Sequence, residues 1–105
     1  MRVISQEGTM DFPYEMSIVW CEDAGAVLLQ PIGETGKYQT FAKYSTEEKA
    51  KKAMEMLRLA YENNEFYHHT ANSEHFVELY NTLGREKFKE YTSEYFQFPA
   101  EEELE

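Results

Sequence analysis

The chain has 105 residues, of which 42% are hydrophobic, and it contains seven Phe, one Trp and eight Tyr. This length suits one domain, because each half of a divided chain would bury too little apolar surface to fold alone. Ten Lys and Arg against twenty Asp and Glu give a net charge of −10. Such a charge repels nucleic-acid phosphates and anionic lipid headgroups, so we expect neither as a partner.

Cysteine content and apolar runs bear on the cellular compartment. Cys21 is the single cysteine, so no internal disulfide is possible. The opening MRVISQEG lacks the apolar run of a secretory signal, and the longest apolar cluster, Ala24–Leu29, is far shorter than the roughly 20 residues that span a bilayer. The sequence therefore predicts a cytoplasmic protein without membrane spans.

Turn-forming residues divide the N-terminal part of the chain into short segments with strand character. Glu7-Gly8 predicts a tight connection, and Gly25 suits a hairpin loop because it tolerates positive φ. Pro13 cannot donate to a strand ladder, so a strand should end there, bend there or lie at a sheet edge. The predicted strands form two hairpins, Met1–Gln6 with Thr9–Phe12 and Ser17–Cys21 with Ala26–Gln30.

Tyr38–Tyr44 is the fifth predicted strand. A period of two places alternate residues of a strand on opposite faces of the sheet. We therefore expect an antiparallel, meander-like sheet of four or five strands over residues 1–44. The predicted faces are Tyr38, Thr40, Ala42 and Tyr44 on one side and Gln39, Phe41 and Lys43 on the other.

An amphipathic helix is predicted over residues 45–63. Ser45-Thr46-Glu47-Glu48 matches a capping box. In this motif the Ser45 hydroxyl accepts a hydrogen bond from the Glu48 amide, and the Glu48 side chain accepts one from the Ser45 amide. Asn63-Asn64 is the predicted end. The apolar stripe that should lie on the sheet recurs at three- and four-residue spacing and consists of Ala50, Ala53, Met54, Leu57, Ala60 and Tyr61.

The C-terminal third predicts one or two further helices within residues 72–94. Residues 65–71 look irregular, and Asn72 or Ser73 suits a helix start. Gly84 is the predicted stop of the helix that begins at residue 72 or 73, so residues 85–94 form either a third helix or a kinked continuation. The pattern leaves these two alternatives open.

The last residues predict an extended segment followed by a tail. Residues 96–98 precede Pro99, which disfavours helical backbone before it. Residues 100–105 are mostly glutamate and predict an acidic, flexible tail. The fold class is therefore α+β, with a single domain over residues 1–99 and a tail over 100–105.

Three parts of the chain carry a resemblance to a known family. They are Met1–Gln6 with Pro13–Glu15, Tyr44–Ala50 with Ala53–Leu57, and Phe96–Pro99. Here the chain resembles a family of short proteins encoded in prophages and integrative elements of Gram-positive bacteria, to which no function is assigned. The resemblance implies origin in a mobile element, and it supplies no functional residue.

One cluster of potential metal ligands is present. His68, His69 and His75, with Glu74 and Glu78, offer imidazoles and carboxylates within a short stretch. Their spacing matches no known closed metal site, and adjacent histidines of an extended segment point to opposite sides. We predict solvated or partly packed histidines, and whether His68, His69 and His75 converge stays open.

Two other candidate motifs have sufficient structural explanations. Cys21 is followed by Glu22 and Asp23, whose charges disfavour a reactive thiolate, so a small buried side chain is predicted. The segment Gly33–Lys37 lacks the Ser or Thr and the following helix of a phosphate-binding loop. A hairpin loop explains its glycines. We predict no catalytic residue, no metal site and no cofactor.

The aromatic residues are concentrated late in the chain, since ten of the sixteen rings follow residue 60. They either close the core over the sheet or form a contact surface, because tyrosine supplies contact area with little loss of rotamer entropy. The second alternative nominates Tyr80, Phe88, Tyr91 and Tyr95 as an interaction surface and predicts a possible homodimer.

These observations favour a non-enzymatic accessory protein of a mobile element that acts through protein–protein interaction with an unknown partner. A second hypothesis is an acidic mimic that occupies a DNA-binding groove, although Lys49, Lys51, Lys52, Lys87 and Lys89 interrupt the acidic residues. A third hypothesis is a small metal-dependent enzyme built on the three histidines.

Overall fold

The computed structural model describes the backbone of residues 1–70 and 94–104, and the side chains of 1–66 and 94–104. Short 3₁₀ turns follow the second and the last strand, at Tyr14–Met16 and Glu101–Leu104. We call the second one the acidic 3₁₀ helix. The strands are β1 Arg2–Ile4, β2 Asp11–Pro13, β3 Ser17–Cys21, β4 Ala26–Pro31, β5 Gln39–Lys43 and β6 Tyr95–Gln97, and the helix is α1 Glu47–Thr70.

The first sheet has the strand order β2-β1-β6. β1 pairs antiparallel with β2 and parallel with β6, so that Val3 lies between Phe12 and Phe96. β2 ends at Pro13 and is an edge strand, as predicted. The 3₁₀ turn that follows Pro13 separates this sheet from β3, so the described strands form two three-stranded sheets rather than the predicted single meander.

The second sheet, β3-β4-β5, is an antiparallel meander. The predicted β3–β4 hairpin is confirmed, with Gly25 at a φ of 92° in its turn. Between β4 and β5 the register shifts, because Val27 pairs with Ala42 but Leu28 pairs with Thr40. Phe41 is therefore the extra residue of a β-bulge.

The bulge corrects the predicted faces of β5. A continuous alternation would place Phe41 and Ala42 on opposite sides of the sheet, yet both side chains are buried. Tyr38 was predicted to share a face with Ala42 and Tyr44, but it is 52% exposed whereas Tyr44 is buried. One extra residue in a strand shifts all side chains beyond it to the other face, which explains the error.

Helix α1 begins one residue later than the predicted capping box requires. The amide of Lys49 donates to Thr46 Oγ1 at 3.2 Å, so Thr46 is the N-cap rather than Ser45. The apolar stripe is confirmed, because Ala50, Ala53 and Leu57 are buried in the core. These residues hold α1 against the second sheet.

The predicted end of α1 at Asn63-Asn64 is wrong. The helix continues to Thr70, so the segment predicted as irregular is helical up to that residue. Asparagine costs only a fraction of a kcal/mol inside a helix, about 0.7 at most relative to alanine, and no glycine or proline follows to stop the helix. Asn64 is moreover buried, whereas a residue at a helix end is commonly solvated.

One hydrophobic core joins both sheets to α1. The first sheet contributes Val3, and Phe98 follows β6 into the same cluster. Because these side chains pack with those of the second sheet, the two sheets belong to one domain. The remaining buried members are Val27, Leu29, Phe41, Ala42, Tyr44, Ala50, Ala53, Leu57 and Leu104.

The acidic 3₁₀ helix lies against α1 instead of extending as the predicted flexible tail. Leu104 is 3% exposed and belongs to the core cluster. Lys52 Nζ donates to the carbonyl oxygen of Leu104 at 2.6 Å, and the Glu101 carboxylate accepts the backbone amide of Ser45. One apolar side chain and two polar contacts thus hold the acidic 3₁₀ helix against the domain, although its glutamate content predicts a solvated segment.

The predicted helices over 72–83 and 85–94 lie outside the described residues, apart from Glu94. This residue is non-helical, and its carbonyl oxygen accepts the amide of Arg2 at 2.8 Å. The predicted extended segment before Pro99 is confirmed as β6. Tyr95, which continues the helical spacing in the sequence, begins this strand.

Candidate functional site

The second sheet presents one face to α1 and another face away from it. In β3, the side chains of Val19 and Cys21 pack against the core cluster. They form the side of the strand that faces the helix. Alternation places Ile18 and Trp20 on the opposite side. Ile18 is 49% exposed, so this second side is not covered as the first one is.

We call this uncovered side the outer face, formed by Met16, Ile18, Trp20, Ile32 and Tyr38. Met16 and Ile32 extend it beyond the strands, where the amide of Ile32 donates to the carbonyl of Met16 at 2.9 Å. Both side chains are about 60% exposed. The rings of Trp20 and Tyr38 meet edge to face, with centroids 5.8 Å apart.

The middle of the outer face is locally packed and carries no charge. Leu28 is buried although it is not a member of the core cluster, because it lies between Trp20 and Thr40 in the ladder. The outward strand positions Ile18, Trp20, Leu28, Gln30 and Thr40 are uncharged, and the charged outward residue Lys43 lies at the end of β5, opposite Ala26. An apolar, uncharged patch of this kind is typical of contact surfaces rather than of solvated sheet faces.

The other side of β3 borders a groove. Two clefts of about 660 and 440 Å³ lie between β3 and α1, and both are lined by Met54 and Arg58. The strand wall consists of Ser17, Val19 and Cys21. We call this feature the helix groove, whose helix wall also includes Lys51, Glu55 and Tyr61.

The cations of the helix groove differ in their contacts. Lys51 bonds Glu47 at 3.0 Å, and that hydrogen bond raises the pKa of Lys51. Lys52 donates to the Leu104 carbonyl. The Arg58 side chain has no ion pair or hydrogen bond among the described residues 1–66 and 94–104. Arg58 therefore keeps its hydrogen-bonding capacity for a ligand.

The predicted interaction residues are mostly beyond what the structure describes. Tyr80, Phe88 and Tyr91 lie outside the described residues, so their proximity to Tyr95 stays a prediction. Tyr95 is 60% exposed at the start of β6. Sequence reasoning missed the outer face, although the unbroken apolar run of Ile18-Val19-Trp20 is a signal of a strand that is apolar on both sides.

The other candidate motifs are placed as follows. The backbone of His68 and His69 is helical within α1, and His75 lies outside the described residues. Within the described part of the chain, no three His, Cys, Asp or Glu side chains are grouped to hold a metal ion. Cys21 is a free, half-buried thiol, and Gly33 and Gly36 both adopt positive φ in the loop before β5.

Comparison with known proteins adds no relative. No family model, curated protein or solved structure that was compared with the chain matches it. Among the residues described, none of the helices has the length and apolar character that crossing a bilayer requires. The outer face and the helix groove, both on the second sheet, are therefore the surfaces from which a function can be inferred.

Proposed function

We propose that the protein is non-enzymatic and acts through protein–protein contacts, with its outer face binding a second copy of the chain. The observation that carries this proposal is a sheet face with an apolar, uncharged centre on a chain of net charge −10. Our proposal includes an accessory role in a mobile element, a cytoplasmic location, and one or two helices within residues 72–94.

A second copy is the occupant that the charges favour. Two chains of the same negative charge repel each other, and they approach at least cost where neither presents a charge. The outer face meets that condition at its centre. In a two-fold dimer each outer face packs on its own copy, so Ile18 of both chains lies near the shared interface.

Light scattering across concentration, at low and at moderate salt, tests the dimer. We expect a mass approaching twice the 12.4 kDa of one chain, with the dimer strengthened by salt, because salt screens the repulsion within about 8 Å at physiological ionic strength. A monomer at every concentration and at both salt levels would refute the proposal.

Matched variants test which surface forms the contact. Ile18→Glu places a charge at the centre of the outer face, and we expect the dimer dissociation constant to rise at least about tenfold, or about 1.4 kcal/mol. Leu59→Glu is the control, because Leu59 is 58% exposed on α1 and away from the sheet. A native-like dimer in Ile18→Glu would contradict the outer face as the interface.

The alternative interface is the C-terminal aromatic surface of Tyr80, Phe88, Tyr91 and Tyr95. Tyr91→Glu addresses that hypothesis in the same assay. Dissociation by Tyr91→Glu, together with an intact dimer in Ile18→Glu, would assign the contact to the aromatic surface. The reverse pattern supports the outer face.

The two other hypotheses for function have weaker support. An acidic mimic needs a row of unpaired carboxylates. In this chain Glu47 pairs with Lys51, and Glu101 Oε1 lies 3.9 Å from Lys49 Nζ. A metal-dependent enzyme depends on His68, His69 and His75. Titration with zinc or manganese tests it, because a bound metal raises the melting temperature.

A further inference from the structure

The free edge of β3 is the starting point for a second binding site. Among the strands that the structure describes, β3 is an edge strand of the second sheet and pairs with β4 alone. The amide of Ile32 donates to Met16 at one end of this ladder, and the amide of Glu22 donates to Ala26 at the other. Alternate residues of an antiparallel strand bond the same neighbour, so even-numbered residues of β3 face β4 and odd-numbered residues face the edge.

Two residues of that edge have unused backbone groups. The amide of Ser17 donates a hydrogen bond to the carbonyl oxygen of Tyr14, so it is not free. The amides and carbonyls of Val19 and Cys21 have no hydrogen-bond partner among residues 1–70 and 94–104. A row of free donors and acceptors on an edge strand is a template for adding one more strand.

The helix groove lies beside this edge, because Ser17, Val19 and Cys21 of β3 form its strand wall. β3 is five residues long, so a matching strand extends about 17 Å at about 3.4 Å per residue. Every second side chain of that strand would point toward α1, where Met54 lines both clefts. The groove thus offers backbone pairing on one wall and side-chain contact on the other.

Arg58 determines which side chain suits the centre of the groove. It lines both clefts, it is exposed, and it has no ion pair in the described chain. Glu48 and Glu55 line one cleft, and Glu15, whose carboxylate pairs with the N-terminal ammonium at 2.7 Å, lines the other. A guanidinium group binds a carboxylate through two parallel hydrogen bonds, which gives geometric selection as well as charge attraction.

We propose that the helix groove binds an extended segment of a partner protein, which pairs with the free edge of β3 and places an Asp or Glu side chain on Arg58. β-branched residues flank the carboxylate in this segment, because they favour the extended backbone and pack on Met54 and Val19. The site uses the opposite side of β3 from the outer face, so it stands or falls independently of the dimer.

A displayed peptide library tests the selectivity. Seven-residue segments carry Val, Ile or Thr at six positions and all twenty residues at the fourth, and they are selected on the full chain. We expect Asp and Glu to be enriched at least about tenfold at the fourth position, as one charge-assisted pair of about 1.4 kcal/mol provides. Absence of that enrichment would overturn the proposal.

Charge reversal distinguishes recognition by Arg58 from a general effect of charge. On Arg58→Glu we expect the selected residue to change to Lys or Arg. Lys43→Glu is the matched control, because it alters the net charge equally on an exposed residue of β5, and it should select Asp and Glu as the native chain does. Selection of the same residues by native protein and Arg58→Glu would contradict the assignment.

Amide hydrogen exchange locates the bound segment without any substitution. A selected peptide should slow exchange at Val19 and Cys21, whose amides face the edge, while Ile18 and Trp20, which already bond β4, change little. Protection confined to the outer face would overturn the proposal. Protection of Val19 and Cys21 that rises with protein concentration in the absence of peptide would also overturn it, since a second copy would then fill the edge.

Discussion

At the scale of single residues, Gly25 shows how one backbone position fixes the approach of the β3–β4 hairpin to the segment that joins β5 to α1. Its φ is 92°, and a Cβ built there would lie 2.3 Å from the carbonyl oxygen of Tyr44. The amide of Tyr44 donates back to the Gly25 carbonyl at 2.9 Å. Gly33 has nearly the same φ, 90°, but nothing lies within 4 Å of its Cβ position.

Replacing Gly25 and Gly33 separately by alanine distinguishes the cost of a strained backbone from the cost of a steric clash. Gly33→Ala should lower the free energy of unfolding by about 1–2 kcal/mol, the cost of left-handed backbone for an L-residue. Gly25→Ala should cost at least about 3 kcal/mol, because the added methyl group also displaces backbone. Urea unfolding measures both. Equal losses in the two variants would show that the hairpin has room to move away from Tyr44.

Glu101 predicts a pH dependence of stability. Hydrogen bonds from Ser45, with a smaller contribution from Lys49, hold the pKa of the Glu101 carboxyl below its ordinary value of 4.5. A carboxylate with a lowered folded-state pKa stabilises the protein above its ordinary pKa, and the stabilisation is lost as pH falls through the folded-state value. Glu101 therefore contributes at pH 7 and not in strong acid.

Glu101→Gln should accordingly melt at a lower temperature than the native chain at pH 7, and the difference should close as the pH falls well below 4.5. Glu102→Gln provides the control, since the exposed Glu102 has no ion pair or hydrogen bond in the described chain. Thermal melts across this pH range give the comparison. A difference for Glu101→Gln that persists unchanged into acid would contradict the role of its charge.

At the scale of elements, the acidic 3₁₀ helix shows where composition misleads. Four glutamates in residues 101–105 predict solvation, yet one leucine among them joins the core cluster and two polar contacts accompany it. Fully burying a leucine side chain stabilises by about 1.5–3 kcal/mol, which offsets the backbone entropy of ordering a residue or so, and the contacts of Lys52 and Glu101 add to it. A net charge cannot reveal such a contact.

Leu104→Ala tests the docking of this element. We expect a loss of about 2–3 kcal/mol in the free energy of unfolding, the lower part of the range for buried leucines, because the site lies at the margin of the core. Leu59→Ala removes the same atoms from an exposed position of α1 and should cost about 0.5 kcal/mol or less. Urea unfolding that gives equal small losses would show that the segment is not held by Leu104.

The alternation of apolar and polar residues predicts some strands correctly and assigns the wrong side-chain faces in another. Periodicity and turn residues located β3 and β4 correctly, and the apolar stripe located the buried side of α1. For β5 the same rule assigned the wrong face to Tyr38, because the bulge at Phe41 inserts an unpaired residue. A bulge arises from the fit between two strands, so the sequence of one strand does not encode it.

At the scale of the whole molecule, distant pairings account for what the sequence did not predict. The parallel neighbour of β1 is β6, and the partner of Ser45 is Glu101. Local patterns contain no information about contacts between segments so far apart. The helix groove was missed for the same reason, because Val19 and Arg58 belong to separate elements that are ordinary when taken singly.

One strand supplies both proposed contact surfaces. β3 presents Ile18 and Trp20 to the outer face, and it presents Val19 and Cys21 to the helix groove. A dimer through the outer faces would leave a groove open in each copy. Two linked grooves bind a partner that carries two suitable segments more tightly than either groove alone, provided that the spacing of the segments matches.

The pairing of β1 with β6 also orders events during synthesis. Arg2 finds its parallel partner at Tyr95, whereas β3, β4, β5 and the start of α1 find theirs within a few dozen residues. Closing the longer loop costs more chain entropy, and such non-local pairings slow folding. On the ribosome the second sheet and α1 can assemble first, while β1 and β2 remain without their parallel neighbour until residue 97 has emerged. Val3 therefore lacks its parallel neighbour Phe96 until that late residue has been translated.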